Sequence, residues 1–179
     1  GVRGGTTDRG DASGSGWWSG ASEGYDAEIL AHVGLDEAML PRVVAAGEPA
    51  GTVASGLPLP EGILVAGGTG DNMAGALGLG IEPGRPVLSL GTSGTVYAVS
   101  GHRPTDATGI VAGFADARHG WLPLACTLNC TLAVDRLAAL LGRDREAVEP
   151  GGNAVVLPFL DGERTPDLPY ATGLVHGLT

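Results

Sequence analysis

The sequence predicts a mixed α/β fold, and three kinds of segment carry that prediction. A continuous apolar run bounded by glycines, residues 62–67, is typical of a strand buried on both faces. Residues 86–90 and 95–99 have the composition of two strands joined by a short turn with glycine at both ends. Apolar residues at helical spacing occur near Asp26 and again in residues 128–141. Strands and helices therefore alternate along the chain.

The first 24 residues are polar and rich in glycine, so we expect a loop there. Its Asp and Ser side chains, beginning with Asp8, should hydrogen-bond the local backbone. Trp17 and Trp18 should bury this loop against a core. Further on, Asp26 is placed to cap a helix that runs to about Val33.

The middle of the chain contains the most informative predicted corner. Pro41 starts a connector that includes Val43 and Val44. The apolar run at 62–67 leads into Gly-Gly-Thr-Gly, and the small residues 73–78 then predict a tightly packed helix. Asp71 should sit where the strand turns into this helix.

The last third of the chain predicts a second hairpin and one longer helix. Residues 110–114 should pair with 121–125, and the helix at 128–141 should end at Gly142. A strand at 154–157 precedes a turn-rich stretch, in which Glu163 and Arg164 are placed to form a local ion pair.

Composition excludes several classes of function. A net charge of −10 argues against nucleic acid and anionic membranes as partners. All ten basic residues are Arg, so the P-loop pattern with its phosphate-binding lysine is absent. No apolar run is long enough to span a bilayer, so we expect a cytoplasmic protein. Cys126 and Cys130 lack a second Cys or His pair, which favours free thiols and predicts no metal site.

Two positions have the chemistry of an active site, and each has a purely structural alternative. A carboxylate at a helix N-terminus, as predicted for Asp71, suits a base that accepts a hydroxyl proton, but it also suits a simple N-cap. The turn Gly91-Thr92-Ser93-Gly94 offers amide and hydroxyl donors to phosphate oxygens, yet glycine and serine are also common in ordinary hairpins.

Four segments taken together resemble the FGGY carbohydrate kinases. In chain order they are Thr7-Asp8 with Asp11-Ala12-Ser13-Gly14-Ser15, then Gly70-Asp71-Asn72, then Leu88-Ser89-Leu90-Gly91-Thr92-Ser93-Gly94, then Pro158-Phe159-Leu160-Asp161-Gly162-Glu163-Arg164-Thr165-Pro166. The resemblance covers nearly the whole chain. At the position of Asn72, glycerol kinases usually have Gln and gluconate kinases usually have Gly, so the resemblance favours D-xylulose as the sugar.

The resemblance implies parts of two actin-like (ribonuclease H-like) domains, with residues 1–80 ending a sugar-binding domain and 81–179 starting an ATP-binding domain. It implies that Asp71 is the catalytic base, that Asp71 and Asn72 bind the sugar, and that Gly91, Thr92, Ser93 and Gly94 face the ATP phosphates. The implied partners are a sugar, ATP and Mg²⁺, with a homodimer left open. The family's D-x-G-T phosphate loop and adenosine-binding glycine motif are missing, so the resemblance implies an internal fragment that is inactive alone.

Two other functions stay open beside a D-xylulose kinase. One is a non-catalytic sugar- or nucleotide-binding module of the same fold, in which Asp71 is only a cap. The other is a kinase for another sugar or polyol, such as glycerol, gluconate or ribulose.

Overall fold

The computed structural model describes residues 5–147 and 152–177. These residues form twelve strands and four α-helices. In chain order the elements are β1 (Thr6–Asp8), α1 (Arg9–Gly14), β2 (Trp18–Ser19), β3 (Gly24–Tyr25), α2 (Ala27–Val33), β4 (Arg42–Val44), β5 (Pro49–Thr52), β6 (Leu64–Ala66), α3 (Asp71–Gly78), β7 (Val87–Leu90), β8 (Gly94–Tyr97), β9 (Ala112–Ala115), β10 (Trp121–Thr127), α4 (Thr131–Leu140), β11 (Val155–Leu157) and β12 (Leu174–His176). A short 3₁₀ helix, Glu37–Met39, lies between α2 and β4. The predicted mixed α/β class is confirmed.

The chain divides into two compact units. The first contains the chain up to Pro86 together with Ala98–Ala107 and Val111–Pro123. The second contains Val87–Tyr97, Thr108–Ile110 and the chain from Leu124 onward. The predicted domains, 1–80 and 81–179, stay a prediction.

The first unit has a small aromatic core. Strands β1 and β4 pair in parallel, with Asp8 opposite Val44. Behind them, Trp18 and Trp121 are buried with their ring centroids 6.5 Å apart, and Ala12 and Ala115 complete the cluster. Aromatic rings at this separation add to the free energy gained by burying their surface. Trp18 therefore behaves as predicted, whereas Trp17 is more than one-third exposed.

The predicted loop over the first 24 residues is only partly correct. Residues Arg9–Gly14 form helix α1, which the two glycines and one serine in its sequence had obscured. The helix forms because the buried Asp8 carboxylate accepts hydrogen bonds from the amides of Gly10, at 2.7 Å, and Asp11, at 3.3 Å. An aspartate at this position satisfies amides that have no partner inside the helix. The expected side-chain bonds to the local backbone are thus present, but they cap a helix.

Helix α2 confirms its predicted boundaries. Asp26 accepts hydrogen bonds from the amides of Glu28 and Ile29, and the helix ends at Gly34. The connector predicted after Pro41 is instead strand β4, because Val43 and Val44 pair with β1.

Strand β6 forms where the apolar run predicted it, but its burial was predicted wrongly. Leu64 is 69% exposed and Val65 is 43% exposed. Among the described strands it pairs with β5 alone, and all three of its residues are exposed. An apolar run indicates that burial of the strand would be favourable, but it does not show which element, if any, packs against the strand.

The second unit contains the predicted hairpin. Strands β7 and β8 are antiparallel, with Leu90 opposite Gly94, and β8 continues into pairing with Leu124–Thr127 of β10. Helix α4 begins at Thr131, three residues later than predicted, because the amides of residues 128 and 129 donate hydrogen bonds to the Glu163 carboxylate. Strand β11 confirms the strand predicted at 154–157 and pairs with β12.

Candidate active site

Asp71 is the first residue of helix α3 and does not cap it. The N-cap is Gly70, which has an extended backbone and no side chain with which to cap the helix. Asp71 is exposed, and its Oδ1 accepts hydrogen bonds from the Asn72 amide at 2.7 Å and from Asn72 Nδ2 at 3.0 Å. Among the described residues, Oδ2 has no hydrogen-bond donor. The alternative of Asp71 as a capping residue is therefore wrong, and one carboxylate oxygen stays open to a ligand.

Asp71 lines a pocket of about 280 Å³ within the first unit. Asp11, Asp71, Asn72 and Phe114 are among the residues that line it. Asp11 approaches the start of α3 so closely that a Cβ at Gly70 would lie 2.9 Å from its Oδ1. A side chain at position 70 would therefore displace the Asp11 carboxylate.

The pKa of the Asp11 carboxyl is raised by its surroundings in this pocket. Partial burial raises its pKa, and the negative charges of Asp8 and Asp71 raise it further. The pocket therefore concentrates acidic groups, which favours ligands that donate hydrogen bonds, such as sugar hydroxyls. The sequence motif contained Asp11, but its place beside Asp71 depends on the packing of α1 against the start of α3 and was not predicted.

The turn at 91–94 lies in the second unit, and only part of it is free to bind a ligand. We expected all its amides to be available. Instead, the Gly91 amide donates to Ser93 O at 3.1 Å and the Gly94 amide donates to Thr127 Oγ1 at 3.2 Å. Thr92 and Ser93 are exposed, and within the described residues their amides and hydroxyls have no acceptor. These two residues are the donors that the turn presents to solvent.

The segment between β10 and α4 holds this turn in place. Thr131 donates to Gly91 O twice, from its amide at 3.0 Å and from Oγ1 at 2.8 Å. Thr127 Oγ1 accepts from the Gly94 amide, as described above. The turn is thus bonded at both ends to residues 127–131.

Glu163 in turn organises that segment, although the sequence predicted an ion pair with Arg164. Only 2% of Glu163 is exposed. Its Oε1 accepts from the amides of Leu128, at 2.6 Å, and Arg164, at 2.7 Å; its Oε2 accepts from the amide and the Nδ2 of Asn129, at 3.3 and 3.1 Å. The predicted Glu163–Arg164 ion pair is wrong, because Glu163 contacts the Arg164 backbone.

Four donors converge on the Glu163 carboxylate, and they shift its pKa. Burial by itself raises the pKa of Glu163, but the hydrogen bonds from Leu128, Arg164 and Asn129 together lower it below its ordinary value of 4.5. The ionised form is the one that these donors stabilise. No feature of the sequence other than an acidic residue in a turn-rich stretch signalled this role.

The lowered pKa of Glu163 predicts how stability depends on pH. A carboxyl with a depressed pKa stabilises the folded state above pH 4.5, and this contribution is lost as the pH falls through the folded-state pKa. We therefore expect the difference in unfolding free energy between the wild type and Glu163→Gln to be constant from pH 7 to about 5 and to shrink at lower pH. Urea unfolding of both proteins at a series of pH values measures this difference.

Glu48 provides the matched control for that measurement. Hydrogen bonds from the Ala45 amide and the Arg42 side chain lower its pKa as well, but it lies at the surface. The effect of Glu48→Gln should therefore be small and should disappear in 1 M salt. A Glu163→Gln difference that vanishes equally in salt would contradict the burial argument.

Three other features bear on possible ligands. No three His, Cys, Asp or Glu side chains converge as metal ligands within residues 5–147 and 152–177. Cys126 and Cys130 form no disulfide bond. Among the described helices, none combines the length and the apolar character that a bilayer span requires.

Comparison with known proteins identifies the family. Residues 4–78 match the model of the N-terminal domain of the FGGY family of carbohydrate kinases. The chain is also 72% identical, over 176 residues, to the xylulose kinase of Streptomyces rubiginosus and 71% identical to that of Streptomyces coelicolor. The chain belongs to the FGGY family of carbohydrate kinases.

Structural comparison places the fold in the same FGGY family. The chain matches the crystal structure of the xylulose kinase from Bifidobacterium adolescentis with a TM-score of 0.79 and 38% identity, over 97% of this chain and 39% of that one. The predicted actin-like sugar-kinase fold is confirmed. The alignment with the Streptomyces rubiginosus relative covers 97% of this chain and 37% of that relative's length.

Proposed function

We propose that this chain takes part in an ATP-dependent kinase reaction that transfers the γ-phosphoryl group to the terminal hydroxyl of D-xylulose. The observation that carries the proposal is the exposed carboxylate of Asp71 at the first position of α3, which lines a pocket of about 280 Å³ and whose Oδ2 has no hydrogen-bond donor among the described residues. The choice of D-xylulose rests on the relatives named above, which are xylulose kinases.

In this proposal Asp71 is the general base. Its Oδ1 is occupied by Asn72, which orients the carboxylate so that Oδ2 can accept the hydroxyl proton as the oxygen attacks phosphorus. The aligned amides at the start of α3 favour a negative charge at this position. Asn72 lines the same pocket and binds the sugar there, and Asp11 offers a further acceptor for a hydroxyl.

The turn at 91–94 binds the ATP phosphates in this proposal. Thr92 and Ser93 supply amide and hydroxyl donors that have no acceptor in the described residues, which fits an anionic ligand. Mg²⁺ bound to the phosphates would neutralise charge that develops during transfer. Because phosphoryl transfer depends mainly on positioning and charge neutralisation, one base and these donors are a sufficient contribution from the chain. The sugar-binding and ATP-binding domains would be residues 1–80 and 81–179.

The test is sugar-dependent release of ADP by the full-length protein. Mg-ATP is supplied with D-xylulose, D-ribulose, glycerol or gluconate, and ADP is followed with a coupled assay. We expect D-xylulose to give the highest kcat/KM and D-xylulose 5-phosphate as the product. A higher kcat/KM on glycerol or gluconate would reject the substrate, and sugar binding without ADP release would favour a non-catalytic module.

A further inference from the structure

Glu163 is a buried carboxylate that has no role in the proposed reaction. It lies in a turn-rich segment after β11, and its carboxylate accepts four hydrogen bonds from Leu128, Asn129 and Arg164. Burying a carboxylate is unfavourable unless donors compensate it fully. Four donors do so here, and three of them belong to residues 128 and 129.

Those donors connect Glu163 to the turn at 91–94 through a short path inside the second unit. Residues 128 and 129 lie between Thr127 and Thr131. Thr127 bonds the Gly94 amide, and Thr131 bonds Gly91 O. The amide of Leu132 adds a longer bond to Thr92 O, at 3.4 Å. One carboxylate thus fixes the backbone on which both ends of the turn are held.

We propose that Glu163 is a positioning residue that holds the turn at 91–94 in its phosphate-binding conformation through residues 127–131. The inference rests on the proposed function, because it assigns the turn to ATP. Glu163 touches no ligand in this scheme. It acts by fixing where the Thr92 and Ser93 donors point.

Glu163→Gln tests the proposal with almost no change in size. A glutamine presents one acceptor oxygen and one NH₂ group, and the NH₂ group would face amide donors, so residues 128 and 129 lose part of their anchor. In the full-length protein we expect KM for ATP to rise about tenfold, because a small displacement of a positioning group weakens binding strongly. KM for the sugar should change less than about twofold. A merely structural role would affect both KM values or neither.

Two further variants complete the design. Asp161→Asn is the control, because Asp161 is an exposed neighbour that pairs with Arg136, and it should leave both KM values unchanged. Thr127→Val removes the acceptor of the Gly94 amide without altering a buried charge. It should reproduce the selective rise in KM for ATP even if Glu163→Gln folds poorly.

Amide hydrogen exchange provides a readout that does not depend on turnover. Glu163→Gln should speed exchange in residues 91–94 and 128–131 and leave α2 unchanged. Equal KM values for ATP in the wild type and both variants, or unchanged exchange at the turn, would overturn the inference. If the wild type releases no ADP with any sugar, the proposed function fails separately. The affinity for ATP then decides: a tenfold loss in Glu163→Gln supports the inference, and no loss rejects it.

Discussion

Asp71→Asn should lower kcat on D-xylulose about 10³-fold, the size expected when a general base is removed. Sugar affinity should stay within about twofold, because an amide oxygen can still accept the bond from the Asn72 amide. The exposed side chain does not cap α3, so folding should be unaffected. Steady-state kinetics and direct titration of the sugar in the full-length protein measure the two effects.

Asp26→Asn is the matched control for this substitution. It makes the same chemical change in the same unit, at the N-cap of α2, where asparagine caps as well as aspartate. Its turnover and melting temperature should equal those of the wild type. Retention of more than one-tenth of the activity by Asp71→Asn would reject Asp71 as the base.

Gly162→Ala should destabilise the protein by about 3 kcal/mol or more, within the range of strong backbone effects. Gly162 is buried with φ of +81°, and an added Cβ would collide with Pro169 O and lie 2.8 Å from Pro169 C. The obstacle is backbone, which cannot rotate away as a flexible side chain can. The carbonyl of Gly162 also accepts a hydrogen bond from Asn129 Nδ2 at 2.7 Å. A displaced Gly162 backbone would therefore also disturb Asn129, which donates two hydrogen bonds to Glu163.

Gly142→Ala separates the backbone conformation from the collision. Gly142 also has a positive φ, +61°, but nothing lies within 4 Å of an added Cβ. It should therefore cost only about 1 kcal/mol, the penalty for an L-residue in the left-handed region. Urea unfolding of both variants gives the comparison. Equal losses would show that the contact with Pro169 has no energetic effect.

Local signals predicted the elements that depend on local chemistry. The Asp26 cap, the end of α2 at Gly34 and the hairpin of β7 and β8 all form as expected. Each depends on neighbours within a few residues, so the sequence pattern contains the whole interaction. Helix α1 was missed because its glycines and serine resemble a loop, although the buried Asp8 carboxylate caps its first turn.

The sequence alone was enough to place Asp71 at a strand-to-helix corner, to pair it with Asn72 and to locate the turn at 91–94, because motif order and residue type carry that information. Tertiary packing decided the rest. It brought Asp11 to the pocket of Asp71, and it directed Glu163 to the backbone of residues 128 and 129 rather than to Arg164. The latter bonds join residues that are 34 or 35 positions apart, a separation at which periodicity and composition carry no signal.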